Sequence, residues 1–443
     1  MGMRFGKYLT FFVIENKIYA YNALNNGLCE LKNESYEMLI KKDFKSLEKL
    51  YPDVFYELKK ALYIVPEDFD ENSYVKLKNW EAKFLQNTLS LTIAPTLDCN
   101  FKCFYCYQQE YKQESYMNKS TADKVFDFID KRITPNIQFL YINWYGGEPL
   151  LSIEIIEYLS KKIKKLLDNK KIKFKSSIIT NGYLWDEKYA KILSENCNVE
   201  TVQITLDGPK EIHDIRRPHK NGKSYDIIIS NLKNISQYFE RILIRINMDK
   251  TNEEKIPALL EELKKLKLNI FPYIAPVSLD NIHHNNFAKT CFHIEEFALK
   301  YLKIKEKDEY SYLTNYPVLT FGSCGAVRKN SFVIDPNGTI YKCWNEVGQK
   351  EKSIGTVSEG ITNYSRYIKW MAFDPLDIKE CSECSILPLC NGGCPYRILF
   401  PEDVDIFEKR CSEYKWTLKN ELSLWIKNNV LNNRKFEVKV NSK

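Results

Sequence analysis

The feature that most constrains this 443-residue chain is a regular alternation of strand-like and helix-like runs between about residues 90 and 278. SLTIAPTL precedes STADKVFDFIDKRI, IQFLYINWY precedes IEIIEYLSKKIKKLL, and FKSSIIT precedes DEKYAKILSEN. VETVQITL and RILIRIN are followed in the same way by SYDIIISNLKNISQYF and EKIPALLEELKKLK, and NIFPYIAPV closes the series. Apolar β-rich runs of strand length, each but the last followed by an amphipathic helix, describe parallel strands with helical crossovers. Six such strands predict an α/β fold built on an incomplete (β/α)6 barrel.

The flanks differ in character. Residues 1–80 combine two strand-like runs, YLTFFVI and KIYAYNAL, a turn at NNG, and helical stretches NESYEMLIKK and PDVFYELKKAL, which predicts a small separate α+β domain. The stretch PEDFDENSYVKLKNWEAKF reads as a linker into a barrel expected over 81–310. Over 311–425 Cys, Gly and Pro become closely spaced, as in a loop-rich domain whose core is metal rather than apolar side chains; 426–443 reads as a tail. The start lacks a signal-peptide run, and nowhere do about 18 apolar residues occur together, so we expect a soluble, cytoplasmic protein without a membrane partner. The formal charge of +7 comes from lysines dispersed among acids on solvated helix faces, which argues against a nucleic-acid partner.

Thirteen cysteines in a chain of this kind point to metal ligation rather than disulfides. Cys29, Cys197 and Cys291 stand alone and read as small buried hydrophobes. The other ten fall between Cys99 and Cys106 and between Cys324 and Cys411. The first group, LDCNFKCFYCY, is C-x3-C-x2-C directly after the first barrel strand. Three thiolates hold three irons of a [4Fe–4S] cube and leave the fourth open to an external ligand. A structural zinc site normally takes a fourth Cys or His ligand, and none of the chain's five histidines lies in this segment.

This spacing on the loop after the first strand resembles the radical S-adenosylmethionine (SAM) superfamily. The resemblance implies that SAM binds the open iron of a cluster held by Cys99, Cys103 and Cys106. One electron then cleaves it to methionine and a 5′-deoxyadenosyl radical that removes a substrate hydrogen atom. It also assigns SAM contacts at the C-terminal ends of the strands, where such barrels place their ligands. Tyr105 would pack on the adenine. In WYGGEPL, Gly146 and Gly147 would allow close backbone approach to the ligand, and with Glu148 and Pro149 they form the motif that meets the amino end of SAM. Thr180 and Asn181 in TNG, and Asp207 in TLDGP, would line the ribose and methionyl region. Arg217 would take the SAM carboxylate, with Arg216 an equally available donor.

The second set reads Cys324, thirteen residues, Gly338, four residues, Cys343, then Cys381, Cys384, Cys390 and Cys394 as C-x2-C-x5-C-x3-C, and finally Cys411. This order resembles the SPASM extension of a subset of radical SAM enzymes. The resemblance implies two auxiliary [4Fe–4S] clusters, three in all. Cys381, Cys384, Cys390 and Cys411 would hold one completely, while Cys324, Cys343 and Cys394 would hold the other with one iron open. Auxiliary clusters suit an oxidative reaction, because the substrate radical must lose an electron.

Enzymes of this type act mostly on peptides. The pattern is similar to maturases of ribosomally made peptides of the thioether- or crosslink-forming type, such as ranthipeptide or sactipeptide maturases. Residues 1–80 resemble the winged-helix elements that bind a precursor's leader peptide. An external donor such as flavodoxin or ferredoxin would supply electrons. Alternatives are an anaerobic sulfatase-maturating, formylglycine-forming enzyme, a peptide epimerase, and, outside catalysis, an iron–sulfur electron carrier or a zinc protein. Sulfatase-maturating relatives carry an aspartate base directly after the cysteine corresponding to Cys343, where this chain has Trp344.

Overall fold

The computed structural model describes residues 2–85, 87–108, 114–168, 170–277, 289–322, 324–401 and 411–431. Its centre is a run of six parallel strands in sequential order: β6 (Thr88–Thr96), β7 (Phe139–Gly146), β8 (Lys173–Thr180), β9 (Val199–Thr205), β10 (Arg241–Met248) and β11 (Ile270–Pro276). These are the six runs expected from sequence. Helices Lys119–Asp130, Ile153–Asp168, Tyr225–Ile235 and Ile256–Lys265 carry the chain back between strands, their apolar stripes buried on the sheet. β11 does not pair back to β6, so the barrel is partial.

The free edge of β6 is instead occupied from the cysteine-rich region. β12 (Ser331–Ile334) pairs with it in parallel, Ser331 opposite Ser90 and Ile334 opposite Ile93. Antiparallel β13 (Thr339–Tyr341), β14 (Gly355–Thr356) and β15 (Gly360–Ile361) extend the sheet to ten strands. This region has more regular structure than its loop-like composition implied. Phe332, Val333, Ile334, Ile340 and Tyr341 are all buried, because a hairpin laid on a sheet edge needs only a few apolar residues per strand.

The N-terminal unit has β1 (Met3–Phe5) paired antiparallel with β5 (Ile64–Pro66), and a meander of β2 (Leu9–Ile14), β3 (Lys17–Asn22) and β4 (Gly27–Leu31). Three helices fill residues 33–60. The NNG turn is where sequence put it: Asn26 is left-handed at φ 62°, and the Asn25 side chain accepts from Gly27 N at 2.9 Å.

Two expectations fail here. The unit is not separate: Tyr8, Phe12, Tyr19 and Tyr21 share one core with Leu387, Leu389, Leu418, Leu422 and Ile426. Nor is PEDFDENSYVKLKNWEAKF a linker, since Glu71–Phe84 is a helix whose Glu71, Val75, Asn79 and Lys83 form a buried stripe. Three of those four are polar and are held by specific partners. Glu71 receives Arg4 Nη1 at 2.7 Å, and Lys83 Nζ donates to the carbonyls of Met371 and Phe373, each at 2.7 Å. Of the expected tail 426–443, Ile426 closes helix Tyr414–Ile426 and Lys427–Leu431 continues it as a π-helical turn; from residue 432 it lies outside the described residues. Among the described residues no helix is long and apolar enough to cross a membrane.

Candidate active site

β6 ends at Thr96, and the chain then turns into the loop bearing the first three cysteines. Thr96 Oγ1 accepts from Asp98 N at 3.0 Å, and Asp98 Oδ1 caps Cys99 N at 2.8 Å, which fixes the start of that loop. Cys99 and Cys103 are buried and Cys106 half-buried. All thirteen cysteines lie among the described residues, and none is in a disulfide.

Cys103 and Cys106 open onto a cavity of about 330 Å³ at the C-terminal ends of the strands, lined also by Tyr105, Gly146, Gly147, Thr180, Asn181 and Arg217. That volume is on the scale of a small-molecule site. Tyr105 is a hub within it. Its hydroxyl donates to Asp207 Oδ2 at 2.5 Å and receives Arg217 Nη1 at 2.5 Å and Asn247 Nδ2 at 3.1 Å. Burial and the neighbouring Asp207 keep it firmly protonated.

Three motif residues also tie the surrounding backbone together. Gly146 and Gly147 serve the approach of two backbone segments: a Cβ on Gly146 would stand 2.2 Å from Thr96 O, one on Gly147 2.1 Å from Asp98 O, and Gly146 has φ +122°. Gly147 N donates to Thr96 O at 3.1 Å and Glu148 N to Asp98 O at 2.8 Å, so the second motif is laced onto the cysteine loop. The Glu148 carboxylate is fully buried and turned away from the cavity. It accepts from Leu150 N at 3.1 Å, at the turn that Pro149 opens, from Thr180 Oγ1 at 2.7 Å and from Asn181 N at 2.7 Å. Asp207 likewise lies beneath Tyr105 rather than on the cavity wall.

The two arginines have different surroundings. Arg216 gives Nη1 to both oxygens of Asp249 at 3.0 Å and approaches Asp207 at 3.5 Å. Arg217 faces the cavity. Burial opposes its charge, but Cys103, Tyr105 and Asp207 outweigh that and hold it protonated. Its Nε is buried with no hydrogen-bond partner among the described residues. A buried guanidinium with an unused N–H in a cavity fits an anionic ligand such as the SAM carboxylate. The donor set of three thiolates fits a cube with one open iron. No three His, Cys, Asp or Glu side chains among the described residues draw together tightly enough to hold a single metal ion.

The second cysteine set lies in two places. Cys381, Cys384, Cys390 and Cys411 line one cavity of about 300 Å³. Cys324, Cys343 and Cys394 pack together against Val327, Trp370 and Tyr396. Burial, Glu346 and the other two thiols push the Cys343 thiol up. From Cys343 the chain runs directly into the barrel cavity, where Trp344 and Asn345 form part of the wall and the Trp344 ring lies 4.9 Å from that of Tyr145.

Sequence reading missed Tyr145, Gln203, Thr205, Arg245, Asn247 and Trp344 as cavity residues. A usable signal existed for four of them: Gln203 and Thr205 on β9, and Arg245 and Asn247 on β10, are polar residues two apart in otherwise apolar strands, the period of one sheet face.

Residues 93–263 match the Radical SAM superfamily. The barrel is a radical SAM domain. Such a domain works with a [4Fe–4S] cluster and SAM. Beyond the domain, the chain is 26% identical over 360 residues to a cysteine-type anaerobic sulfatase-maturating enzyme of Clostridium perfringens, covering 74% of this chain and 94% of that protein. It is 21% identical over 430 residues to the radical SAM cyclopropyl synthase TigE of Paramaledivibacter caminithermalis, covering 86% of each. Among solved structures, anSMEcpe with bound AdoMet and Cp18Cys peptide superposes with a TM-score of 0.59 at 20% identity, over 79% of this chain and 100% of that one. Streptococcus suis SuiB bound to precursor peptide SuiA gives 0.51 at 18% identity, over 93% and 99%. The radical SAM domain and its cysteine-rich extension therefore sit in an architecture shared with these proteins.

Proposed function

We propose that this radical SAM enzyme oxidatively modifies a ribosomally made precursor peptide in the cytoplasm, forming a thioether or carbon–carbon crosslink. The observation that carries this reading is the shared chamber: one cavity is walled on one side by Cys103 and Cys106 and on another by the residues that follow Cys343. Cys99, Cys103 and Cys106 would hold a [4Fe–4S] cluster, which when bound would supply the electron for reductive cleavage of SAM. Tyr105, Thr180, Asn181 and Arg217 orient SAM, the last through its carboxylate. Glu148 and Pro149, with Gly146 and Gly147, hold the rim on which those residues sit, and Asp207 braces Tyr105. Cys324, Cys343 and Cys394 are assigned to an auxiliary cluster with one open iron, and Cys381, Cys384, Cys390 and Cys411 to a fully ligated one.

By this assignment residues 81–310 generate the radical and 311–425 hold the auxiliary clusters, while 1–80 receive the leader along an outer strand of the β2–β3–β4 meander. The relatives support a peptide substrate, since anSMEcpe and SuiB are each seen with a bound peptide.

Sulfatase maturation is the second reading, favoured by the identity to the clostridial enzyme across most of its length. Against it, the position after Cys343 projects into the cavity as Trp344, and the described cavity wall has no carboxylate to serve as base.

Co-expression with a candidate precursor, such as a short Cys-rich peptide if one is encoded beside the gene, followed by mass spectrometry, tests the proposal. Each crosslink should remove two hydrogens, about 2 Da. An unmodified precursor beside a sulfatase peptide converted to an aldehyde would replace this reading with the second one. Changing Cys99, Cys103 and Cys106 to Ala should abolish deoxyadenosine formation. Changing Cys324 and Cys343 should leave part of it and stop product.

A further inference from the structure

The basic run RRPHKNGKS has no role in the function above beyond Arg217, yet it is fastened to the cysteine loop. Lys102 N donates to Pro218 O at 2.9 Å and Lys220 N to Asn100 O at 2.8 Å, with Phe101 and His219 paired between them. The inner side of this junction is fixed by rings: His219 lies flat on Tyr183 with centroids 4.0 Å apart and meets Phe101 edge-on at 5.8 Å. On the outer side Lys102, Lys220 and Lys223 are exposed. Lys220 reaches Asp98 at 3.2 Å, and Glu211 and Asp214 stand on the helix that carries Ile215, so the three lysines form a cationic edge beside these acids.

Two apolar side chains stand among these lysines. Phe104, inside the C-x2-C stretch between Cys103 and Cys106, is 39% exposed, and Ile215 is 75% exposed. Ile215 is on helix Lys210–Arg216, whose terminal guanidinium sits 5.0 Å from the Phe104 ring. An apolar centre with a cationic rim is the anatomy of a surface that meets an acidic protein.

Location gives this surface its meaning. The cavity side of the three thiols is where SAM and substrate must sit, so a protein donor has no access there during turnover. In the same loop Lys102 and Phe104 are exposed on either side of buried Cys103, one residue from a thiol assigned to the cluster. We infer that Lys102, Lys220 and Lys223, around Phe104 and Ile215, form the docking site for a small acidic electron-carrier protein. The carrier gives up one electron and the cluster on Cys99, Cys103 and Cys106 gains it; no bond forms or breaks and no proton moves. The inference rests on the assignment of that cluster.

The test uses reconstituted full-length protein with an acidic flavodoxin as probe. In Lys220→Glu/Lys223→Glu, with iron content equal to wild type, flavodoxin should bind about tenfold more weakly at low salt, and the difference should shrink as ionic strength rises. Deoxyadenosine formation driven by reduced flavodoxin should fall in parallel, while formation driven by dithionite stays at the wild-type rate. Lys223→Glu alone, an exposed site, should show a smaller shift of the same kind, and Lys165→Glu on the outer helix none. Unchanged flavodoxin affinity in both variants overturns the proposal, as does an equal loss with dithionite. Failure of wild-type protein to make deoxyadenosine with dithionite would instead remove the cluster assignment, and the binding titration would still judge the surface.

Discussion

Glu148 illustrates how a residue in a ligand-binding motif acts through its neighbours. Both its oxygens are occupied by Leu150 N, Thr180 Oγ1 and Asn181 N, so the carboxylate ties the end of β7 to the end of β8. Burial nevertheless pushes its pKa up to about 7, against the pull of those hydrogen bonds. From the ordinary value of 4.5 to about 7, the folded state binds more protons here than the unfolded chain, so this group erodes stability as pH rises through that window. The full effect is about 3 kcal/mol. Glu148→Gln loses an acceptor and is less stable than wild type, but it lacks this slope. Its deficit should shrink between pH 5 and pH 8, read by anaerobic denaturant unfolding of both proteins, whereas a deficit that widens with pH contradicts the assignment. Trp344 makes a complementary point. The cavity position beside Cys343 carries a ring packed on Tyr145 rather than an acid. Trp344→Ala should therefore lower product yield severalfold and leave uncoupled SAM cleavage near wild type, as measured by product-to-deoxyadenosine ratio.

Among the elements, the six barrel strands were legible because short β-rich runs alternate with amphipathic helices of crossover length. The cysteine loop and its companion motif were legible from spacing. What they do to one another was not, since the contact between Gly147 and Asp98 O is a tertiary approach with no local signature. Gly147→Ala should destabilise the protein by about 3 kcal/mol, and should also lower iron content at the first site, because the displaced Asp98 caps the residue that opens the loop. Iron and sulfide analysis beside thermal unfolding checks both parts. Helix Glu71–Phe84 escaped sequence reading for a different reason. Its buried stripe is mostly polar, and the carbonyls that satisfy Lys83 lie nearly three hundred residues further along the chain. Strands β12 to β15 escaped because two to four residues each carry too little periodicity to register.

For the molecule as a whole, the shared core of the N-terminal meander and helix Tyr414–Ile426 makes the two chain ends one structural unit. Leu422 is fully buried within it, and Leu422→Ala should cost about 2–5 kcal/mol. If the ends are one unit, protease sensitivity should rise at both termini together in that variant, and a rise at the C-terminus alone would show the unit to be divisible. A last consequence concerns β6, which belongs to two neighbourhoods at once. One of its edges holds β7, the other holds β12, and the register of each pair is fixed residue against residue. A short run beyond the Ile93–Ile334 pair, one branch reaches Cys99 and the other reaches Cys343 by way of β13. The spacing between the Cys99 loop and the Cys343 turn is thus a dimension cut into a single sheet. One residue added to or removed from either branch would change the span between Cys99 and Cys343, whereas a change in an outer loop would leave it untouched.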